Sequence, residues 1–254
     1  MLSITDSWWG EEVKLSEVDF LVLDVETTGL DPESDKVVEY AVTRVRDSEF
    51  RGIIIADYIN PGVPIPPEAS AVHHITDEDV SDAPSWSVAL EAIERASKGA
   101  IMVAHNAKFD SQFVDIDNPW LCTYRLARHL YPDLKMHTNQ YLRYLFGLKF
   151  GVWERDVKGA AHGAFADSIV TSYLLIKMLG DYLEQGYADD DLALLELVDS
   201  PIEVNVMPFG KHKGVPMRDV PRSYMEWALG NMDALDNDLR WSMEKVLGQE
   251  ERDC

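Results

Sequence analysis

Apolar positions along the chain change their period several times, and the changes mark its elements. Phe20 to Leu23 is an unbroken apolar run that leads into Asp24, Val25 and Glu26, then into Thr27, Thr28 and Gly29. In a strand, side chains i and i+2 share a face. A first strand over 20–25 therefore points Asp24 and Glu26 one way and Val25 the other. Val37 to Val45 is rich in β-branched residues and reads as a second strand, with a turn around Pro32 before it. Gly52 to Tyr58 reads as a third, stopped by Asn60, Pro61 and Gly62. Short connections favour an antiparallel meander for these three.

Helical spacing then takes over. Glu68 to Val72 suits one or two turns, and Thr76 followed by Asp79 resembles a helix start. Trp86, Ala89, Leu90 and Ile93 form a helix face within 85–98, with Ser85 as N-cap and Gly99 as stop. Ala100 to Ala104 is a short buried strand, and the helix that follows it from Lys108 carries Asp110. Further helices are expected over 122–130 and 138–146, and 149–163 reads as irregular. Ala164 to Leu179 is a long amphipathic helix with Ile169, Val170, Tyr173, Leu174 and Leu175 at core spacing. The order βββ, αβα, then helices predicts an α/β fold with helices packed on a mixed sheet.

Composition divides this pattern. Residues 1–19 are a polar lead-in, whose Trp8 and Trp9 either dock onto the body or stay free. The body spans 20–180, an acidic linker 181–204 that contains a short helix-like run (DLALLELV), and a small C-terminal module 205–254. Within that module FGKHKG (Phe209 to Gly214) reads as a hairpin-like turn and Pro221 starts a helix.

The 254 residues suit one or two domains, and 46% apolar content suits a sizeable core. No run of about 18 apolar residues occurs, so no membrane span is expected. The acidic N-terminus lacks the basic and apolar regions of a signal peptide. Cys122 and Cys254 lie far apart, which speaks against a disulfide framework and fits a reducing, cytoplasmic setting. A net charge of −22, taken alone, argues against a nucleic-acid partner. Its distribution softens that. Residues 181–200 carry seven acids and no Lys or Arg, whereas 120–160 carry seven basic residues and three acids, a local +4. Such a run is either a solvated face or a phosphate-binding one.

Acids gather in three places of one kind. Asp24 and Glu26 share a face at the end of the first strand. Asp110 falls in the first turn of the helix after a buried strand. His162 precedes the long helix, and Asp167 lies in its first turn. In α/β sheets ligands collect beyond the carboxyl ends of strands, where all three could converge. Each has a plainer reading as well. Asp24 and Glu26 could be acids of a polar turn, Asp110 and Asp167 acids favoured by a helix dipole, and His162 a surface residue. Paired carboxylates repel each other, and a hard divalent cation resolves that repulsion.

These segments carry a resemblance. The motif Asp-x-Glu-Thr-x-Gly stands as DVETTG (Asp24 to Gly29), His-Asn-Ala-x-Phe-Asp as HNAKFD (His105 to Asp110), and His-x4-Asp as HGAFAD (His162 to Asp167). VHHIT (Val72 to Thr76) is similar to a further family segment, with His74 in place of its glycine, and CTYRLARHLYP resembles the helix after the second motif. The chain thus resembles the DnaQ-like 3′–5′ exonuclease superfamily in its DEDDh branch. Met207 to Leu229 resembles a module found in exodeoxyribonuclease X-type proteins.

The resemblance implies an RNase H-like mixed sheet of about five strands flanked by helices, plus the C-terminal module. It implies a 3′–5′ exonuclease acting on DNA with a free 3′ end, single-stranded by preference, releasing nucleoside 5′-monophosphates. Two Mg²⁺, with Mn²⁺ able to substitute, would lie roughly 3.5–4 Å apart. Asp24, Glu26, Asp110 and Asp167 would hold them, and His162 would be the general base. Thr27 and Thr28 would offer backbone and hydroxyl donors near the 3′ hydroxyl. Leu30 would wedge against the last base or pack in the core. His73 would stack beside that base or serve a structural hydrogen bond, and Asn106 would shape the turn or contact the nucleotide. Lys211 and Lys213, beside His212, would contact phosphates or form an exposed polar hairpin. An exoribonuclease of the RNase T or oligoribonuclease type and a non-catalytic nucleic-acid-binding module are the rival readings, and a homodimer is left open.

Overall fold

The computed structural model describes residues 12–158, 162–232 and 235–253. Trp8, Trp9, Gly159 and Cys254 lie outside the described residues, as does most of the lead-in. The described chain forms two compact units that divide between Val198 and Asp199.

The first unit is built on β1 (Phe20–Thr27). It pairs antiparallel with β2 (Val37–Arg46), which pairs antiparallel with β3 (Glu49–Tyr58). On its other edge β1 runs parallel to β4 (Ile101–Ala104), itself parallel to β5 (Trp120–Cys122). The sheet therefore has five strands in the order β3-β2-β1-β4-β5. A two-residue turn joins β2 to β3 and a longer loop over residues 28–36 joins β1 to β2, which suffices for the antiparallel half. The parallel half needs a long crossover, which is supplied by α1 (Pro67–His73), α2 (Asp77–Val80) and α3 (Trp86–Ala96).

Alternation along β1 sorts its residues between two cores. Phe20 and Val22 pack with Ile101, Val103 and the Ile169, Val170 and Leu174 side chains of α8 (Ala164–Glu184). Leu21, Leu23 and Val25 pack with Ala89 and Ile93 of α3. Two further steps along the Phe20–Val22 row are Asp24 and Glu26, so the strand period carries both acids onto the α8 side. A buried hydroxyl pair, Thr43 Oγ1 and Ser172 Oγ at 2.6 Å, ties α8 to β2. Around α8 lie α5 (Thr123–Leu130), α6 (Asn139–Leu145) and α7 (Glu154–Val157), while α4 (Ala107–Phe113) packs on β1, β4 and β5.

Three segments differ from the sequence pattern. β5 is too short to show a period, and sequence spacing merges it with α5. Residues 149–163, expected to be irregular, contain a 3-10 turn over Gly151–Trp153 and then α7. The segment 181–204 is not a linker along most of its length. Helix α8 runs on to Glu184, and α9 (Asp191–Asp199) buries Leu194, Leu195 and Val198 in the α8 core. The described end of the lead-in docks there too. Asp191 Oδ1 accepts the Val13 amide at 3.0 Å, and Asp189 Oδ1 accepts the Leu15 amide at 3.2 Å. The acids that dominate the composition of this segment thus include hydrogen-bond acceptors for the chain's own backbone.

The second unit packs Met207, Met217, Met225 and Met243 with Val220 and Leu239 between α10 (Arg222–Asn231) and α11 (Asn237–Asp253). Unbranched Met side chains fill the irregular space of so small a core. FGKHKG is no regular hairpin here. It contains a 3-10 turn over Gly210–His212, inside a loop closed by an antiparallel bridge between Val206 and Pro216.

Leu174 is fully buried between α8 and the sheet. Leu174→Ala is expected to cost about 2–5 kcal/mol, lowering the urea midpoint with little change in slope. A midpoint equal to the parent's would show that α8 does not bear on the sheet as described.

Candidate active site

At the carboxyl end of β1 a cavity of about 460 Å³ opens between the sheet, α4, α6 and the start of α8. Asp24, Glu26, Asp110, Asp167, His162 and His105 all line it. Three elements far apart in sequence deliver these groups, each for a local reason. The β1 period sets Asp24 and Glu26. A left-handed Asn106, at φ 79°, turns the chain from β4 into α4 and brings Asp110 round in the first turn. Asn tolerates that conformation better than most residues. His162, also left-handed at φ 64°, leads into α8, whose first turn holds Asp167.

Hydrogen bonds fix two of the acids. Asp110 Oδ1 accepts the Val25 amide at 3.3 Å, which pins α4 to β1. Asp167 Oδ2 accepts the His162 amide at 3.0 Å, and its Oδ1 accepts Gln140 Nε2 at 2.7 Å. Gln140 is itself oriented by Arg143, whose Nη1 donates to Gln140 Oε1 at 3.0 Å and to the Val157 carbonyl at 3.1 Å. Arg143 is buried, a cation set behind the acids. A fifth carboxylate stands beside them. Glu39 is the direct cross-strand partner of Glu26, and its Oε2 accepts the Ala164 amide at 2.9 Å, at the head of α8. Sequence reasoning did not single out Glu39, Gln140 or Arg143. The only signal for Glu39 was an acid among the apolar residues that open β2.

The electrostatics follow from this crowding. Burial, then repulsion from Asp110, Asp167, Glu26 and Glu39, holds the Asp24 carboxyl well above the usual range. Burial, then Glu39, Asp167 and Asp110, pushes Glu26 up to about 8. Burial likewise pushes Asp110 up to about 8 against the opposing Val25 amide. Asp167 is raised by burial and partly relieved by the His162 amide, Gln140 and Arg143. Burial drives His105 down to about 4, so it is neutral at pH 7. Its Nδ1 lies 3.0 Å from Thr123 Oγ1. A carboxylate cluster of this kind holds either protons or a cation. All its donors are hard oxygens, which suits a divalent ion of the Mg²⁺ class. Among the described residues no three such side chains are already closed round one point as a finished cage. Mutual repulsion opposes that closure until a cation is bound.

The remaining sequence candidates separate. Leu30 is 82% exposed, so it is not core packing. The hydroxyl protons of Thr27 and Thr28 are already engaged, by the Gly29 carbonyl at 2.6 Å and by Asp35 Oδ1 at 3.0 Å. A Cβ on Gly29 would lie 2.4 Å from Asp35 Oδ2, which explains the glycine. His73 is 6% exposed and its Nδ1 accepts the Ile75 amide at 3.1 Å. Its ring is built into the end of α1 and offers no open stacking face. Asn106 is the exposed turn residue and is not part of the cavity wall. Lys211 and Lys213 belong to the second unit.

A model of the family described as "Exonuclease" matches residues 21–175, well over half of the chain. The chain belongs to this exonuclease family. A second model, described as "Putative quorum-sensing-regulated virulence factor", matches residues 193–231. Exodeoxyribonuclease 10 of Escherichia coli (strain K12) is 29% identical over 89% of this chain and 97% of its own length. The DNA polymerase III PolC-type protein of Bacillus cereus is 32% identical over 70% of this chain, which spans only 12% of that longer protein. The solved structure of exonuclease X in complex with 5′ overhanging duplex DNA matches with a TM-score of 0.56 and 28% identity. That match covers 70% of this chain and 99% of the other.

Within the family fold, two outcomes test the site's physics. Glu26 and Asp110, both at about 8 when folded, bind protons that the unfolded chain has already released above its ordinary carboxylate range. Metal-free stability is therefore greatest below about pH 4 in this respect and is lost as pH rises through about 8. Urea midpoints of the metal-free protein should fall from pH 6 to pH 9, and a flat profile would contradict the crowding. Glu39→Ala removes the acceptor of the Ala164 amide and should cost about 1–2 kcal/mol, less the repulsion it relieves. Glu39→Gln keeps an acceptor and should recover most of that loss in the same denaturation series.

Proposed function

We propose that the protein is a divalent-metal-dependent 3′–5′ exonuclease acting on DNA and releasing nucleoside 5′-monophosphates. The observation that carries this is the convergence of Asp24, Glu26, Asp110 and Asp167 with His162 on one open cavity. Two names lend support to the substrate. A relative matched over 97% of its length is an exodeoxyribonuclease, and a matched structure is bound to overhanging DNA.

In this reading Asp24, Glu26, Asp110 and Asp167 hold two Mg²⁺ or Mn²⁺ ions. The ions, when bound, offset the charge of the scissile phosphate and stabilise both the attacking and leaving oxygens. The carboxylates do not act as proton carriers once a cation is bound. That task falls to His162, which takes a proton from the attacking water. Its side chain is exposed at the cavity mouth while its backbone is anchored to Asp167, so the imidazole can reach a bound strand without disturbing the acid. Water adds to phosphorus, the bond to the neighbouring 3′ oxygen breaks, and that oxygen is protonated to leave a new 3′ hydroxyl. Leu30, exposed beside the loop that ends β1, would press against the terminal base. Gln140 and Arg143 keep Asp167 oriented through the cycle.

A 3′-labelled single strand should lose its label stepwise with Mg²⁺ and keep it in chelator. Asp24→Ala should slow this about 10³-fold or more, since a shared metal ligand supports several kcal/mol of transition-state stabilisation. His162→Ala should lower kcat. Matched DNA and RNA strands in parallel read the sugar preference. Internal cutting alone, or undiminished turnover in chelator, would overturn the proposal.

A further inference from the structure

The second unit carries a surface that the carboxylate chemistry does not use. Trp227 on α10 is 52% exposed and takes no part in that unit's core. One helical turn before it lies Tyr224, with ring centroids 5.7 Å apart and planes at 32°. The FGKHKG loop is fitted against Tyr224. His212 meets its ring edge-on at 4.6 Å, and Lys211 Nζ stands 5.2 Å from its centre. The fit depends on Gly210, where a Cβ would lie 2.2 Å from the Tyr224 hydroxyl. The loop's sequence and the helix's aromatics are thus one construction.

Charge on this face runs against the rest of the protein. Residues 207–229 hold four cations, Lys211, Lys213, Arg218 and Arg222, and two acids, Asp219 and Glu226, in a chain of net charge −22. Both acids lie beside arginines, Arg218 with Asp219 at 3.9 Å and Arg222 with Glu226 at 2.9 Å. Lys211 and Lys213 are exposed and pair with no carboxylate among the described residues. An exposed indole beside a half-buried tyrosine, flanked by ammonium groups that pair with no carboxylate among the described residues, matches a strand of unpaired bases and phosphates. An acidic peptide would use the cations but leave the rings without a role.

We propose that Trp227, backed by Tyr224 and flanked by Lys211 and Lys213, forms a second nucleic-acid contact that stacks unpaired bases of a strand. The inference draws its ligand class from the exonuclease reading, but the contact itself needs neither metal nor cleavage. Stacking does not read the sugar, so DNA and RNA strands both serve.

The test uses the full chain in chelator, with fluorescein-labelled dT16, rU16 and poly-glutamate as probes of anisotropy over a salt series. Trp227→Ala should weaken binding of both oligonucleotides about tenfold, and Trp227→Phe should restore most of it. The double variant Lys211→Gln/Lys213→Gln should flatten the slope of log K against log salt by about 1.4, the share of two single-strand phosphates. Photocross-linking of a 4-thiothymidine strand to the unaltered protein should mark the peptide that holds Tyr224 and Trp227. This readout stands even if Trp227→Ala unfolds the unit. Cross-links confined to residues before Val198, unaltered affinity in all variants, or binding of poly-glutamate alone would each overturn the inference. The two proposals fail apart. A protein that cross-links at Trp227 but never shortens a strand sinks only the exonuclease reading. One that digests 3′ ends with no mark on α10 sinks only this contact.

Discussion

Five carboxylates share the carboxyl end of β1 and its surroundings, and their mutual repulsion is the constraint around which the first unit is arranged. Asp24, Glu26 and Glu39 come from adjacent strands, Asp110 from α4 and Asp167 from α8. No core packing would favour such a grouping, and burial makes it worse, as the raised Glu26 and Asp110 show. The fold holds it together through partners that are polar but rigid. These are the Val25 and His162 amides, the amide at the head of α8, and a Gln140 braced by buried Arg143. What the protein leaves unbalanced is the charge that a divalent cation and a phosphate would complete.

Helix α8 links this chemistry to stability. Its apolar residues make up much of the principal core, and its first turn carries Asp167. Glu39 joins the two roles, because one carboxylate both stands across from Glu26 and accepts the first amide of α8. A site assembled on strand ends and a helix start of a packed sheet is held more rigidly than one placed on loops. His162 is the exception. It sits before the helix in a left-handed turn, exposed, as the proposed meeting with a substrate would require.

Much of the first unit was legible in the sequence because its signals are local. The alternation of Phe20 to Glu26 fixed which way each acid points, and α8 was plain from its apolar spacing. The three acidic motifs with His162 could be named by resemblance alone. Where the reading went astray, averaging or brevity was the cause. β5 has three residues and shows no period. The acid content of 181–200 marked that segment as a linker, whereas Leu194, Leu195 and Val198 face the core from α9. The internal partners of Thr27, Thr28 and His73, which are Gly29, Asp35 and Ile75, hydrogen-bond them only once the loops close.

The sequence by itself determined the strand and helix periods, the residue types at the site and the family. Those are properties of neighbours along the chain, where spacing dictates direction. Only the tertiary structure decided that Glu39 belongs with Glu26, that Gln140 and Arg143 stand behind Asp167, and that Tyr224 seats the FGKHKG loop under an exposed Trp227. Each of these pairs elements whose meeting depends on register and packing. Neither leaves a periodic trace in the residues themselves, so no spacing along the chain could have announced them.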